Sequence, residues 1–317
     1  SDPPTDPDPG TLYVYADGSL TGLPTFSIQS PGTGLDAAVF GRHAIVGDYN
    51  GDGWTDIAES SEYATVHGKS KAGKISVFWG PGFAASLELI SPAPQAEDFF
   101  GTDIGAADVN GDGIDDLLEA SSRDVVGGQI NVGSAHIFLG PTLTLLTTIP
   151  NPVPTPGSSF GDAVLGVDLN GDDLDEVVIS DERNRVYIYW APAFQAHDVI
   201  PKPPSTYVNP FGEKSFGMFL GEADVNGDGR ADLLIGDPFE QGSGRLYVSL
   251  APYRSTFHVI ADKVIPPDGG LFGIRAMLLD LDGDRLFELV CADQAADEAG
   301  LSNSGHVTVY DLDLPGQ

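Results

Sequence analysis

The sequence predicts an all-β protein, a β-propeller of four-stranded antiparallel blades with five blades in the ring. Three observations predict this fold. A Phe-Gly pair recurs every 56 or 60 residues, at Phe40, Phe100, Phe160, Phe216 and Phe272. An acidic segment begins eight residues after each of these phenylalanines, and short apolar segments follow it. No apolar period of 3.6 residues persists along the chain, so helices are not expected.

Four short strands are expected in each repeat. The acidic segment is followed by an unbroken apolar run such as 177–179, which is typical of a buried strand. Next comes an alternating segment that Gly or Asn opens and that usually ends at Gly-Pro or Ala-Pro, as in 73–81 and 184–192. A weaker strand, such as 86–91 or 256–261, precedes the next Phe-Gly. A closed ring of such blades leaves few exposed sheet edges.

The chain termini predict how the ring closes. The fifth repeat ends at Gln317 after its third strand, and residues 25–30 have the pattern of the missing fourth strand. Residues 10–18 resemble a further third strand, which either packs as an extra edge or marks a chain cut from a longer one. Residues 1–9 are expected to be a Pro/Asp-rich linker, and residues 10–317 a single domain.

The charge of the chain limits its partners. It carries 47 acidic and 15 basic residues, a formal net charge of −32. This charge argues against nucleic acids and anionic membrane surfaces, and favours cations or basic partners. No run of 18 apolar residues is present, so no segment is expected to insert into a membrane. The one cysteine excludes a disulfide within the chain.

The five acidic segments predict calcium sites. Each is nine residues long, with oxygen-bearing side chains at positions 1, 3, 5 and 9 and a glycine at position 4. Calcium takes about six to eight hard oxygen ligands, and glycine lets a backbone curl around an ion. We therefore expect up to five Ca²⁺, one per repeat, with position 7 contributing its backbone carbonyl. The predicted ligands are Asp48, Asn50, Asp52, Trp54 and Asp56; Asp108, Asn110, Asp112, Ile114 and Asp116; Asp168, Asn170, Asp172, Leu174 and Glu176; Asp224, Asn226, Asp228, Arg230 and Asp232; and Asp280, Asp282, Asp284, Leu286 and Glu288.

Two copies depart from the pattern at position 6, where Asp173 and Arg285 replace glycine, and the fifth copy is expected to bind most weakly. Clusters of Asp, Asn and Gly also form ordinary turns. Five copies in register, with acidic groups at the same positions, favour ion binding over a turn alone.

Phe-Gly followed by D-x-[ND]-G-D-x-x-x-[DE] at this spacing resembles the FG-GAP repeats of integrin α-subunit propellers and of many bacterial extracellular proteins. The resemblance covers about residues 25–311. It implies calcium in the hairpin between a blade's first and second strands, and binding or adhesion outside the cytoplasm. The Gly-Ala-Pro of the family survives only approximately, as residues 236–238, and integrin-type rings have seven blades where five repeats are present here.

A ligand site is expected in the loops that join second to third and fourth to first strands, where the integrin resemblance places partner binding. The first such loop, residues 59–73, contains His67 and Lys69, which form a basic spot on an acidic molecule. These two residues are candidates for ligand binding, and the alternative is a solvated loop.

Glu59 and Glu119 occupy a slot that Ile179, Ile235 and Cys291 fill in the other repeats. Three interpretations are open. The strands end one residue early there, the two carboxylates bind a cation or a basic ligand group, or they form an acid/base pair of the glycosidase type.

The sequence therefore predicts an extracellular or cell-surface calcium-binding propeller, secreted by a signal segment outside this chain, that binds an unknown protein or carbohydrate. The alternatives are a lectin-like ring, a polysaccharide-active enzyme that uses Glu59 and Glu119, and a structural spacer. No catalytic motif of the common hydrolase, nucleotide or dinucleotide types is present, so no enzyme is predicted. Trp79 and Trp190 are expected in the core and Trp54 at the surface.

Overall fold

Strands and turns make up the part of the chain that the computed structural model describes. These residues are 10–15, 23–30, 40–41, 43–84, 86–195, 197–204, 215–240, 244–251, 257–259, 275–279, 288–293 and 306–311. The predicted linker at 1–9 and the Phe-Gly pair at 272–273 lie outside them. Among the described residues, no helix has the length and apolar character needed to cross a membrane.

The strands follow the repeat. They are β1 Thr11–Val14, β2 Phe26–Gln29, β3 His43–Gly47, β4 Asp56–Ser61, β5 Lys74–Phe78, β6 Ser86–Ile90, β7 Asp103–Ala107, β8 Asp116–Ser121, β9 Ser134–Leu139, β10 Thr144–Pro150, β11 Val164–Val167, β12 Glu176–Asp181, β13 Arg185–Tyr189, β14 His197–Pro201, β15 Phe219–Ala223, β16 Asp232–Asp237, β17 Arg245–Ser249, β18 Phe257–Val259, β19 Arg275–Leu279, β20 Glu288–Asp293 and β21 His306–Asp311.

Four repeats form four-stranded antiparallel sheets whose strands pair in chain order: β3 to β6, β7 to β10, β11 to β14 and β15 to β18. In the fifth repeat, β19, β20 and β21 form a three-stranded sheet. The predicted fold class is confirmed, because the described part of the chain is all-β and four of its sheets are the four-stranded antiparallel blades of a β-propeller. Every residue of β4, β8, β12 and β16 is buried, as expected for the second strand of each repeat.

The chain divides into two compact units. One consists of Ser1–Asp108 and Asp112–Val164, and contains β1 to β10. The other consists of Val109–Gly111 and Leu165–Gln317, and contains the remaining strands.

The N-terminal strands correct the predicted ring closure. β2, which was expected to complete the last repeat, pairs instead with β1 in a two-stranded antiparallel sheet. Within the described residues, the sheet of the fifth repeat has no fourth strand. A short connection between β1 and β2 costs less loop-closure entropy than a pairing across nearly the whole chain. Ile28 of β2 packs with Phe40, Ile57 and Phe78, so β1 and β2 lie against the first complete blade.

The Phe-Gly pairs hold neighbouring repeats together. Phe100 and Phe160 are fully buried, and each packs against the glycine that opens the third strand of the preceding repeat. A Cβ on Gly73 would lie 2.1 Å from the carbonyl oxygen of Phe100, and one on Gly133 would lie 2.0 Å from that of Phe160. The Phe100 N–H also donates to the carbonyl of Ala72 at 3.1 Å. Glycine at these positions therefore permits direct backbone contact between repeats.

We predict that Gly73→Ala destabilises the protein far more than Gly68→Ala. Both glycines have positive φ, +79° and +78°, but nothing lies within 4 Å of a Cβ at Gly68. Gly68→Ala is the control and should lower the free energy of unfolding by about 1 kcal/mol, because it adds backbone strain alone. Gly73→Ala should lower it by about 3 kcal/mol, because it also adds a clash with the Phe100 carbonyl. Urea denaturation measures both free energies of unfolding, and equal losses would contradict the proposed packing role.

Candidate functional site

Side-chain oxygens in the first acidic loop turn inward onto the backbone of the loop. The carboxylate of Asp48 accepts N–H bonds from Gly51 at 2.9 Å, Asp52 at 3.1 Å and Gly53 at 2.8 Å. Asn50 Oδ1 accepts a further bond from the Asp52 N–H at 2.8 Å. The oxygens of positions 1 and 3 are thus held on the inside of one tight turn.

The same pattern recurs in the other three described loops. The position-1 carboxylate accepts the position-6 N–H at 2.8, 3.0 and 2.7 Å in copies two, three and four. The position-5 carboxylate accepts the position-7 N–H at 2.9, 3.1 and 3.0 Å. Asp173, which replaces glycine in copy three, adopts a φ of 65° and keeps the turn. Residues 280–287 of copy five lie outside the described residues.

The position-9 carboxylates of the four described loops have a different environment, because all four are fully buried. Asp56 accepts the N–H of Tyr49, at position 2, at 3.1 Å and that of Gly80 at 2.8 Å. Asp232 accepts the equivalent bonds from Val225 at 2.9 Å and Ala251 at 2.7 Å. Burial raises the pKa of Asp56, although the two N–H bonds oppose the shift. Position 9 therefore ties the acidic loop to the turn that follows the third strand.

The sequence did not lead us to predict this link between the loop and the turn, or the buried residue at position 2 beside it. Position 2 is apolar in all five copies, and Tyr49, Val109, Leu169 and Val225 are buried. This apolar residue inside an acidic segment was the available signal. It fixes the start of the loop in the core, so that its own N–H faces the position-9 carboxylate.

The oxygens of positions 1, 3 and 5 are suited to a hard cation. The described part of the chain contains no group of three or more His, Cys, Asp and Glu side chains arranged to hold a metal. Each of the four described loops, however, also offers an asparagine oxygen at position 3 and a backbone carbonyl at position 7. The donor chemistry of the loops fits calcium, and the side chains at positions 1, 3 and 5 are more exposed than the buried one at position 9.

Glu59 and Glu119 lie within β4 and β8, which continue to Ser61 and Ser121 and do not end early. Both side chains are fully buried. Glu59 Oε1 accepts the Gly41 N–H at 3.0 Å, and Glu119 Oε1 accepts the N–H of the equivalent glycine at 2.6 Å. Each carboxylate thus binds the backbone of the Phe-Gly pair in its own repeat.

A buried histidine distinguishes the two glutamates. His136 Nδ1 lies 2.6 Å from Glu119 Oε2, whereas the residue facing Glu59 across the sheet is Ser76. Burial alone would lower the pKa of His136, but the hydrogen bond and charge of Glu119 raise it above its ordinary value. Burial also raises the pKa of Glu59, to about 7. His136 is thus a buried partner of Glu119.

The other predicted ligand residues lie in a tight turn. Val66 and Lys69 exchange two backbone hydrogen bonds, at 2.9 and 3.1 Å, around His67. His67 has a φ of 50° and is exposed. Lys69 Nζ donates to the carbonyl of Pro94 at 2.5 Å. The two residues lie in the β4–β5 loop, whereas Glu59 lies within β4.

The tryptophans lie as expected. Trp79 and Trp190 pack against hydrophobic clusters of their blades, and Trp54 is exposed. Asp237, the departure from Gly-Ala-Pro, is buried and forms an ion pair with Lys202 at 2.6 Å.

Comparison with known proteins identifies the repeat. The family described as FG-GAP repeat matches residues 40–78 and 216–249, each running from a Phe-Gly pair through the third strand. Two segments of the chain thus match the FG-GAP repeat. The FG-GAP resemblance drawn from the sequence is therefore confirmed.

Three curated relatives are similar to parts of the chain. Integrin alpha-PS5 of Drosophila melanogaster is 27% identical over 156 residues, covering 45% of this chain and 15% of the integrin. Integrin alpha-PS2 of the same organism is 28% identical over 233 residues, covering 67% and 16%. Phosphatidylinositol-glycan-specific phospholipase D of Bos taurus is 29% identical over 194 residues, covering 54% and 22%. The chain spans less than a quarter of the length of each relative.

We predict that Glu59→Gln removes a pH-dependent loss of stability. An unfolded glutamate ionises near pH 4.5, whereas Glu59 keeps its proton in the folded protein up to about pH 7. Stability must therefore fall as the pH rises through this window, by up to about 3 kcal/mol. Glutamine has no such titration and can still accept the Gly41 N–H.

Chemical denaturation at several pH values in EDTA measures this effect without calcium binding. The exposed Glu97→Gln variant controls for the removal of one charge. An unchanged pH dependence in Glu59→Gln would show that Glu59 is ionised in the folded protein throughout this range.

Proposed function

We propose that this protein is an extracellular calcium-binding β-propeller that acts as a binding or adhesion module, with Ca²⁺ stabilising each repeat. The single observation that carries the proposal is the repeated inward orientation of the carboxylate oxygens at positions 1 and 5. Four copies hold this geometry, although the carboxylates at positions 1 and 5 repel each other. A divalent cation offsets that repulsion, so its binding free energy adds to the stability of the fold.

In the first loop, Asp48, Asn50 and Asp52 would hold the ion, together with the backbone carbonyl of Trp54. Asp56 completes the ligand set expected from the sequence, but both of its oxygens already accept buried N–H bonds. We therefore assign most of the calcium affinity to positions 1, 3 and 5. Position 9 has a structural role that is independent of calcium.

The variants Asp52→Ala and Asp56→Ala should separate these two roles. Asp52 is exposed and accepts the N–H of Trp54, so its loss should change the stability in EDTA by less than about 0.5 kcal/mol. In calcium, Asp52→Ala should remove the stability that calcium binding to one loop provides, about 2.7 kcal/mol at a calcium concentration of 100 times Kd. Asp56→Ala leaves two buried N–H groups unpaired and should lose about 2 kcal/mol or more even in EDTA.

Thermal unfolding with EDTA and with CaCl₂, combined with calorimetric calcium titration, measures both effects. Wild-type protein that melts at the same temperature in EDTA and in calcium would overturn the calcium proposal.

Similarity to two integrins supports binding over catalysis. The similarity to the phospholipase D covers only a small part of that enzyme. An enzyme that used Glu59 and Glu119 would need substrate to reach both carboxylates, but each is fully buried and bonded to backbone N–H. The integrin similarity and the proposed calcium chemistry together support an extracellular location. A structural spacer is the second candidate function, because a regular array of repeats suits a spacer as well as a binding module.

A glycan array probed with and without calcium tests the ligand class. We expect no glycan to be cleaved, and calcium-dependent retention of a glycan would support a lectin-like module. Turnover of a polysaccharide would overturn the binding proposal in favour of an enzyme.

A further inference from the structure

A small pocket lies where loops of the first two complete repeats meet, within one compact unit. Its volume is about 210 Å³. It is formed by the end of the β4–β5 loop, the loop before β7 and the β8–β9 loop. The residues that define its chemistry are Lys71, Glu97, Phe99, Arg123, Ile130 and Asn131.

Two cations flank one aromatic ring in this pocket. The guanidinium of Arg123 lies 4.5 Å from the ring centroid of Phe99, and Lys71 Nζ lies 5.7 Å from it. Phe99 is buried and meets Tyr63 edge-on at 5.3 Å, which holds the ring in place. Cation–π contacts therefore position both charges at the pocket wall.

The positive charges are weakly compensated by the protein itself. Lys71 lies 3.8 Å from Glu97, but both side chains are largely exposed, so this ion pair is weak. No carboxylate among the described residues lies within ion-pair distance of the Arg123 guanidinium. In a chain with a formal net charge of −32, such a spot is unusual.

The corresponding positions of the next repeat show that the fold does not require these side chains. Sixty residues further on, Lys71 and Phe99 are replaced by Asn131 and Ser159, in the same backbone conformation. The φ values are 54° and 55° for the lysine and phenylalanine, and 54° and 46° for their counterparts. Asparagine adopts positive φ more readily than lysine or phenylalanine. The pocket thus keeps a lysine and a phenylalanine in a strained backbone conformation, although asparagine and serine suffice for the same conformation in the next repeat. This points to a function for the two side chains.

We propose that this pocket binds a carboxylate of an acidic peptide segment from a protein partner. The inference rests on the proposed binding function and names its ligand chemistry. Arg123 and Lys71 donate to the carboxylate, and Asn131 offers an amide beside it. Ile130, which is 65% exposed, contacts the aliphatic part of the bound side chain.

Peptide fits better than sugar for two reasons. The volume is below the range of about 300–1,000 Å³ for small-molecule sites and suits a side chain or two. The Arg123 guanidinium already covers one face of the Phe99 ring, and Tyr63 and the protein interior enclose the rest. A sugar ring would therefore find no open aromatic face to stack on.

Fluorescence anisotropy with fluorescein-labelled hexaglutamate tests the proposal on the full chain in 1 mM CaCl₂ at low ionic strength. Arg123→Ala should weaken binding about tenfold, and adding Lys71→Ala should weaken it further. Glu97→Gln should strengthen binding severalfold, because it removes the competing carboxylate. Arg185→Ala on β13 removes one positive charge elsewhere and should leave the affinity unchanged.

Melting curves of the variants show whether each one is folded, and Glu97→Gln keeps the test valid should Arg123→Ala misfold. Absence of hexaglutamate binding, or equal binding by wild type and the pocket variants, overturns the proposal. Binding of oligogalacturonate in place of hexaglutamate also overturns it, in favour of an acidic sugar. Calcium-dependent stability that persists in either case leaves the proposed module function standing.

Discussion

The buried carboxylate at position 9 of each described acidic loop is the contact on which the rest of a repeat depends. One of its oxygens binds the start of the loop, and the other binds the turn after the third strand. In the first repeat these partners are Tyr49 and Gly80, the second of them 24 residues away along the chain. One side chain therefore fixes the hairpin of the first two strands relative to the third. A buried charge is stable only when hydrogen bonds compensate its lost hydration, and both oxygens meet that condition.

Contacts between repeats depend on backbone more than on side chains. Phe100 fills the core while its peptide group touches Gly73, so that neighbouring blades meet without an intervening side chain. The following glycine then needs a partner for its N–H. Glu59 and Glu119 supply one in the first two complete repeats, whereas Gly217 of a later repeat donates to the carbonyl of Gly236 at 2.9 Å. The same requirement is thus met by a buried carboxylate in some repeats and by the main chain in another.

Periodicity was sufficient to predict the blades, because the acidic segment keeps its spacing from Phe-Gly in every copy and an alternating strand follows each acidic segment. It could not predict the partner of β2, since residues 25–30 carry the same pattern whichever neighbour they pair with. Nor could it predict that Glu59 is buried. A glutamate in an apolar slot signals either a strand end or a satisfied polar contact, and only the position of the Gly41 N–H decides between them. The acidic loops were located from sequence, but the separate role of position 9 depends on a distant turn.

The third loop shows how the two roles of an acidic segment constrain each other. Glu176 is one methylene longer than Asp56, yet it is equally buried and binds the Leu169 N–H at 2.9 Å. Its other oxygen also accepts the side-chain amide of Asn170 at 3.0 Å. Burial raises the pKa of Glu176 to about 7, and the nearby carboxylate of Asp172 adds to the shift. The longer side chain thus draws the position-3 amide toward the core, whereas in the first loop the Asn50 side-chain oxygen accepts the Asp52 N–H within the loop. The length of the side chain at position 9 therefore changes how the position-3 side chain is oriented, although position 3 is asparagine in both loops.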